Sequence, residues 1–150
     1  MRKNKGELRP VGRDQTVALA RTDHRIAARW TPRLAAQGYT AVTNVFLEAY
    51  AELVTGPGER GLNSTEAMLI VHLMSFKWDG RLPFPKVGLL ARRMGLTTRA
   101  VRAALKSLED RGLVARERVP NEIANRYDLG GLFTALEAWM DGSTPKVTAA

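Results

Sequence analysis

The 150-residue chain contains no cysteine. This removes disulfides, cysteine-ligated zinc, iron–sulfur clusters and thiol nucleophiles, and a chain without disulfides fits a reducing, cytoplasmic setting. Histidine is nearly as scarce: His24 and His72 are the only two. They lie too far apart in sequence to suggest a metal site, so no metal is expected, and His72, inside an apolar stretch, is expected in the core. No apolar run approaches the roughly 18–20 residues that would span a bilayer. The opening MRKNKGELRPVGRDQ is basic but lacks the apolar segment of a secretory signal, so a soluble cytoplasmic protein with no membrane contact is expected. Recognisable catalytic spacing is also missing, whether of paired carboxylates or of a nucleophile with its base. GPGERG has the glycines of a phosphate loop but neither its lysine nor its following helix. An enzyme is therefore not expected, and no cofactor is implied.

What the chain has in excess is positive charge. Lys and Arg number 23 against 15 Asp and Glu, a net charge of +8, which favours a polyanionic partner. The excess is uneven. Residues 1–38 carry nine basic and three acidic side chains, a surplus of six, whereas 39–150 carry a surplus of only two. The first segment, interrupted by Gly6, Pro10 and Gly12, reads as a basic, largely flexible extension, with a short helix possible over Thr16 to Arg29 before Pro32. Residues 39–140 read as one folded domain, since apolar residues make up 45% of the chain, enough for a modest core. Residues 141–150 read as a flexible tail.

Within that domain, GYTAVTNVFLEAYAELVTG starts with alternating β-branched residues and passes near Thr43-Asn44 to helical spacing, which predicts a short strand or extended lead-in followed by a helix. Gly56, Pro57, Gly58 and Gly61 then form a loop. NSTE announces the next helix: Asn63 caps the first turn and Glu66, three residues on, reaches back in a capping box. The body of that helix, AMLIVHLMSFKW, is apolar nearly all round and belongs inside the core. Pro83 and Pro85 make a turn, with Pro85 suited to the first position of a helix running to Met94. Gly95 stops that helix. After Gly95-Leu96-Thr97 a further helix, capped by Thr97, runs to about Arg111 and stops at Gly112. Two helices joined by so short a glycine-containing turn make a helix-turn-helix. LVARERV and RYDL follow as the strands of a β-hairpin, and GGLFTALEAWM as a last amphipathic helix bearing Leu132, Phe133, Leu136, Trp139 and Met140. The fold class is thus mainly α, a helix-turn-helix with a small β-hairpin wing.

On the helix over 97–111, Val101, Leu105 and Leu108, with Ala104 beside them, form the apolar stripe. Arg99, Arg102 and Lys106 occupy another face. Arginine can donate two hydrogen bonds to the guanine N7 and O6 edge, and threonine can meet phosphate or the thymine methyl. Because such helices read bases with their N-terminal end, Thr98, Arg99 and Arg102, with Thr97 at the helix start, are candidate base contacts. Lys106 is expected at phosphate. Arg92 and Arg93 end the preceding helix and are expected near a phosphate strand, where they would position without reading sequence. Arg116 and Arg118 alternate along the first wing strand and share a face. Asn121, Asn125 and Arg126 are weaker candidates toward the wing tip. Trp30, Trp78 and Trp139 are expected in core or dimer contacts.

Residues 39–140 resemble the winged helix-turn-helix domains of bacterial transcription regulators and, more closely, of phage and plasmid replication initiators. GYTAVTNVFL resembles the lead-in of the replication protein O-type N-terminal domain, although Thr43 stands where that family usually has proline. LNSTEAMLIVHLMSF resembles its core helix, FPKVGLLARRMGLTTRAVRAALKSLEDRGLV its helix-turn-helix, and NRYDL the return strand of its wing. The resemblance implies binding to double-stranded DNA through the helix 97–111, with the hairpin 113–129 as wing. The few residues after the wing helix leave no room for the second domain of many replication initiators, so a compact regulator or accessory DNA-binding protein is expected. A homodimer is expected to match a two-fold site, paired through the last helix or the helix over 44–54. The alternative is a winged-helix interaction module whose basic face meets an acidic protein.

Overall fold

A computed structural model describes residues 28–76, 83, 85–118, 120 and 125–142. Residues 1–27 of the expected basic extension, with nearly all of the helix over 16–29 and His24, and also Trp78, Asn121 and most of the expected tail, lie outside the described residues. The chain divides after Tyr39 into two units. The first contains a single-turn helix, α1 (Pro32–Ala35), whose N-cap Thr31 accepts a hydrogen bond from the Leu34 amide. Of the two expectations for Trp30, core or dimer contact, its 60% exposure rules out the core.

The second unit holds α2 (Asn44–Ala49), a 3₁₀ turn (Tyr50–Glu52), α3 (Ser64–Ser75), α4 (Val87–Met94), α5 (Thr98–Asp110), β1 (Ala115–Glu117), β2 (Arg126–Asp128) and α6 (Gly130–Met140). Among the described residues no helix is long and apolar enough to cross a membrane. The lead-in to α2 is extended and forms no strand. Thr43 takes the N-cap position, with its hydroxyl accepting from the Phe46 amide at 3.2 Å. The helix expected over 44–54 tightens after Ala49 into the 3₁₀ turn, and the Leu62 amide donates to the Tyr50 carbonyl at 2.8 Å. Gly61 permits that closure, because a Cβ there would overlap the Ala51 carbonyl.

α3 begins with the expected capping box: the Glu66 amide donates to Asn63 Oδ1 at 2.8 Å, and the Asn63 amide to Glu66 Oε1 at 3.1 Å. It buries Leu69, Ile70 and Leu73 but leaves Met68 half exposed, so it lines the core rather than being surrounded by it. α4 starts two residues later than the proline pattern predicts. Lys86 is the extended N-cap and Pro85 precedes it, where its fixed φ suits the approach to the helix rather than its first turn. The ends of α4 and α5 are alike. Gly95 and Gly112 both have positive φ, 65° and 70°, and the amides of Leu96 and Leu113 reach back to the carbonyls of Ala91 and Leu108. These are the long bonds of Schellman stops.

α5 packs against α3 and α4, and α2 against α6. Val101, Leu105 and Leu108 of α5 meet Leu69, Ile70, Leu73 and Leu90 in one core with Leu113, Val114, Leu132 and Leu136. Leu113 and Val114, expected in the first wing strand, are therefore buried beneath the end of α5. The strand itself is only three residues long, antiparallel to β2, with Arg116 opposite Tyr127. Tyr127 is fully buried, and its amide donates at 2.8 Å to the carbonyl of Pro83, so the loop before α4 serves as a backbone partner for β2. α6 docks on the end of α5: the Leu132 amide donates to the Leu113 carbonyl, and a Cβ on Gly131 would overlap the Gly112 carbonyl.

Candidate nucleic-acid interface

The orientation of α5 follows from its sequence. Val101, Ala104, Leu105 and Leu108 are buried, which leaves Thr98, Arg99, Arg102, Ala103 and Lys106 in solvent. Thr97 is the N-cap, its Oγ1 accepting from the Ala100 amide at 3.1 Å; the oxygen is engaged while its proton remains available to an outside acceptor.

The cations differ in what already holds them. Among the described residues Arg92, Arg99, Arg102 and Arg118 are exposed and form no ion pair. Lys106 lies 3.0 Å from Asp110, one helical turn on, with both side chains mostly in solvent. Such a pair is weak and would open readily to a phosphate. Arg93 lies over the Phe76 ring, 4.8 Å from its centroid. Its guanidinium is thus fixed at the end of α3, and burial, reinforced by this charge, lowers the His72 pKa below its ordinary 6.5. His72 is half-buried rather than enclosed in the core.

On the wing, Arg116 is bound to Glu109 of α5: Nε lies 3.0 Å from Oε1 and Nη2 donates to Oε2 at 3.3 Å. Arg116 and Arg118 are both exposed, but only the first is anchored. Arg126 is half-buried at the edge of β2, opposite Glu117. Asn125 hydrogen-bonds the Tyr127 hydroxyl, whose pKa is raised chiefly by burial. The charges of Arg116, Glu109 and Arg102 all act on that hydroxyl, so the wing root and the middle of α5 converge there.

Residues 60–114 match the family model of a helix-turn-helix domain. No curated protein matches the chain. The matched segment runs from the loop before α3 through α5, so α4, the turn at 95–97 and α5 are the helix-turn-helix. With the β1–β2 hairpin behind it, the mainly helical fold is that of a winged helix-turn-helix.

Within the matched segment, Glu66 of α3 has a role that the sequence pattern does not announce. Glu66 is more than half of a capping box. Its buried Oε2 also accepts from Ser107 Oγ of α5 at 2.7 Å and lies 3.9 Å from Arg111 Nε, while Arg111 donates onward to the Arg60 carbonyl. The rear of α5 is thereby tied to the start of α3. The one signal in the sequence was a carboxylate at a mostly apolar helix surface; its partner lies 41 residues away.

Proposed function

We propose that this protein binds double-stranded DNA in a sequence-specific manner through its helix-turn-helix, as a transcription regulator or a plasmid or phage replication-associated protein. It acts as a binding protein rather than an enzyme, associated with the nucleoid or a plasmid. The observation that carries this reading is the exposed face of α5, where Arg99 and Arg102 stand one turn apart without an ion-pair partner among the described residues. Bidentate guanine recognition needs arginines held by a fixed helix yet not occupied by a carboxylate. Arg92 and Arg118, similarly unpaired, flank that face from α4 and the wing and supply phosphate contacts.

Pairing of two copies would match a two-fold site. Leu132 and Leu136 belong to the core and not to such a surface, whereas Phe133 and Met140 of the same helix are 38% and 62% exposed, which supports pairing through that side of α6.

Selection of bound duplexes from a random pool tests the reading, with two-fold symmetry of the enriched site scored and sedimentation reporting the assembly. On the selected site Arg102→Ala is expected to lose about 1–3 kcal/mol and to relax preference at one base position. Unchanged affinity in both Arg99→Ala and Arg102→Ala would refute the role of α5. Absence of any enriched sequence, with capture of an acidic protein instead, would favour an interaction module.

A further inference from the structure

We infer that Arg116 is a wing-positioning residue: it pins β1 to the C-terminal half of α5 through Glu109 and does not neutralise a phosphate, a task left on the wing to Arg118. The affinity arm of the test rests on the DNA-binding reading above; the pinning arm does not.

Arg116 donates one hydrogen bond to Glu109, from Nη2 to Oε2 at 3.3 Å, and its Nε lies 3.0 Å from Oε1, an ion-pair contact without hydrogen-bond alignment that leaves Oε1 buried with no other partner among the described residues. The side chain of Glu109 is only 20% exposed. If Arg116 swung out to a phosphate, a largely desolvated carboxylate would remain without its cation, which is the costly half of breaking such a pair. Lys106 faces no comparable penalty, because Asp110 is 64% exposed.

Glu109 lies seven residues after Arg102, hence on the same side of α5, so an unneutralised Glu109 would set a negative charge beside the DNA-facing arginines. Arg116 removes it. In the hairpin, Arg116 stands opposite Tyr127, the strand residue already anchored by burial and by its bond to Pro83. The Glu109 pair adds a second anchor, from the other strand to the helix. Arg118, two residues on and exposed, has no ion pair among the described residues.

The experiment uses the full chain in two measurements. In the free protein, amide hydrogen exchange at Arg126 and Asp128, the β2 residues whose amides face β1 because that of Tyr127 turns to Pro83, is expected to accelerate about fivefold to thirtyfold in Arg116→Ala, and to return toward wild type in the charge-swapped pair Glu109→Arg with Arg116→Glu. On the selected duplex, Arg118→Ala is expected to lower the salt-dependence slope by about 0.9 while Arg116→Ala weakens binding with the slope unchanged. The swapped pair should recover most of the affinity lost in Arg116→Glu alone. Unchanged exchange at Arg126 and Asp128 in Arg116→Ala would overturn the pin, and a slope lowered by about 0.9 in that variant would show Arg116 to be a phosphate contact. If the wild-type protein binds no duplex, the DNA reading fails while the exchange measurement still decides the pin.

Discussion

Replacing Glu66 with glutamine removes a charge and one acceptor while leaving the volume of the side chain nearly unchanged. In the native protein the carboxylate, 3% exposed, accepts from the Asn63 amide with one oxygen and from the Ser107 hydroxyl with the other. An amide keeps the Asn63 bond through its oxygen but presents a donor to Ser107, so the charge-assisted bond becomes a neutral one donated to the hydroxyl, and the ion pair with Arg111 is lost. Hydrogen bonds to a charged group contribute about 1.5–3 kcal/mol and neutral ones about 0.5–1.5 kcal/mol, so Glu66→Gln is expected to lose about 1 kcal/mol or more, and Ser107→Ala, which removes the bond outright, about 1.5–3 kcal/mol. Both substitutions act on the same bond. The double variant should therefore lose less than the sum, with a coupling of about 0.5–3 kcal/mol. Urea unfolding of the four proteins at neutral pH measures this, provided the denaturant slope is constant across the set. Losses that add to within about 0.3–0.5 kcal/mol would show the two residues to be independent, and the account of how α5 is held to α3 would fail.

The pH dependence of stability carries a signature of His72. Its folded pKa lies below the ordinary 6.5, through burial first and the Arg93 charge second, so the unfolded chain binds the proton more readily. The stability associated with neutral His72 is present above 6.5 and is lost as pH falls through the folded value; His72→Gln should flatten the fall of the unfolding midpoint on acidification below 6.5. Two glycines should respond with opposite sign in thermal unfolding. Gly131→Ala drives a Cβ into the Gly112 carbonyl and should cost about 1–3 kcal/mol, whereas Gly88→Ala, in an exposed helix with nothing within 4 Å, should gain about 0.4–1 kcal/mol. A loss at Gly88 would contradict the open surface of α4. Lys106→Ala should change stability by less than about 0.5 kcal/mol because its pair with Asp110 is exposed.

Where local chemistry decides the structure, the sequence was legible. The Asn63–Glu66 box, the glycine stops at 95 and 112 and the Val101, Leu105, Leu108 stripe are each complete within a few residues, and each forms as its pattern predicts. The misreadings occur where a distant group intervenes. Leu113 and Val114 alternate like a strand but are claimed by the core beneath α5. The wing strands are short, and β2 is anchored by a carbonyl at Pro83 that no pattern in RYDL announces. Leu132, Phe133, Leu136 and Met140 form one apolar set in the sequence, yet only the packing of α6 on α2 and on the end of α5 separates the buried pair from the exposed pair.

The candidate site shows the same division more sharply, because an arginine's availability is a property of its neighbours. Arg93, Arg102 and Arg116 were equal as basic residues in the sequence. Arg93 is stacked on Phe76 and Arg116 is engaged by Glu109, while Arg102 has no ion pair among the described residues. Along the outer side of α5 the pattern becomes ordered: arginines at 99 and 102 with no ion pair among the described residues, then Lys106 matched by Asp110, then Glu109 matched by Arg116 from the wing. The two acids stand in the last turn, where the helix dipole disfavours negative charge, and each has a cation to offset it. The unmatched positive charge therefore lies on the N-terminal half of α5, where the helix dipole is also positive. On the proposed DNA-binding reading, an approaching polyanion is drawn to the end of the helix that carries Arg99 and Arg102, and the acids behind it, each offset by a cation, do not oppose its approach.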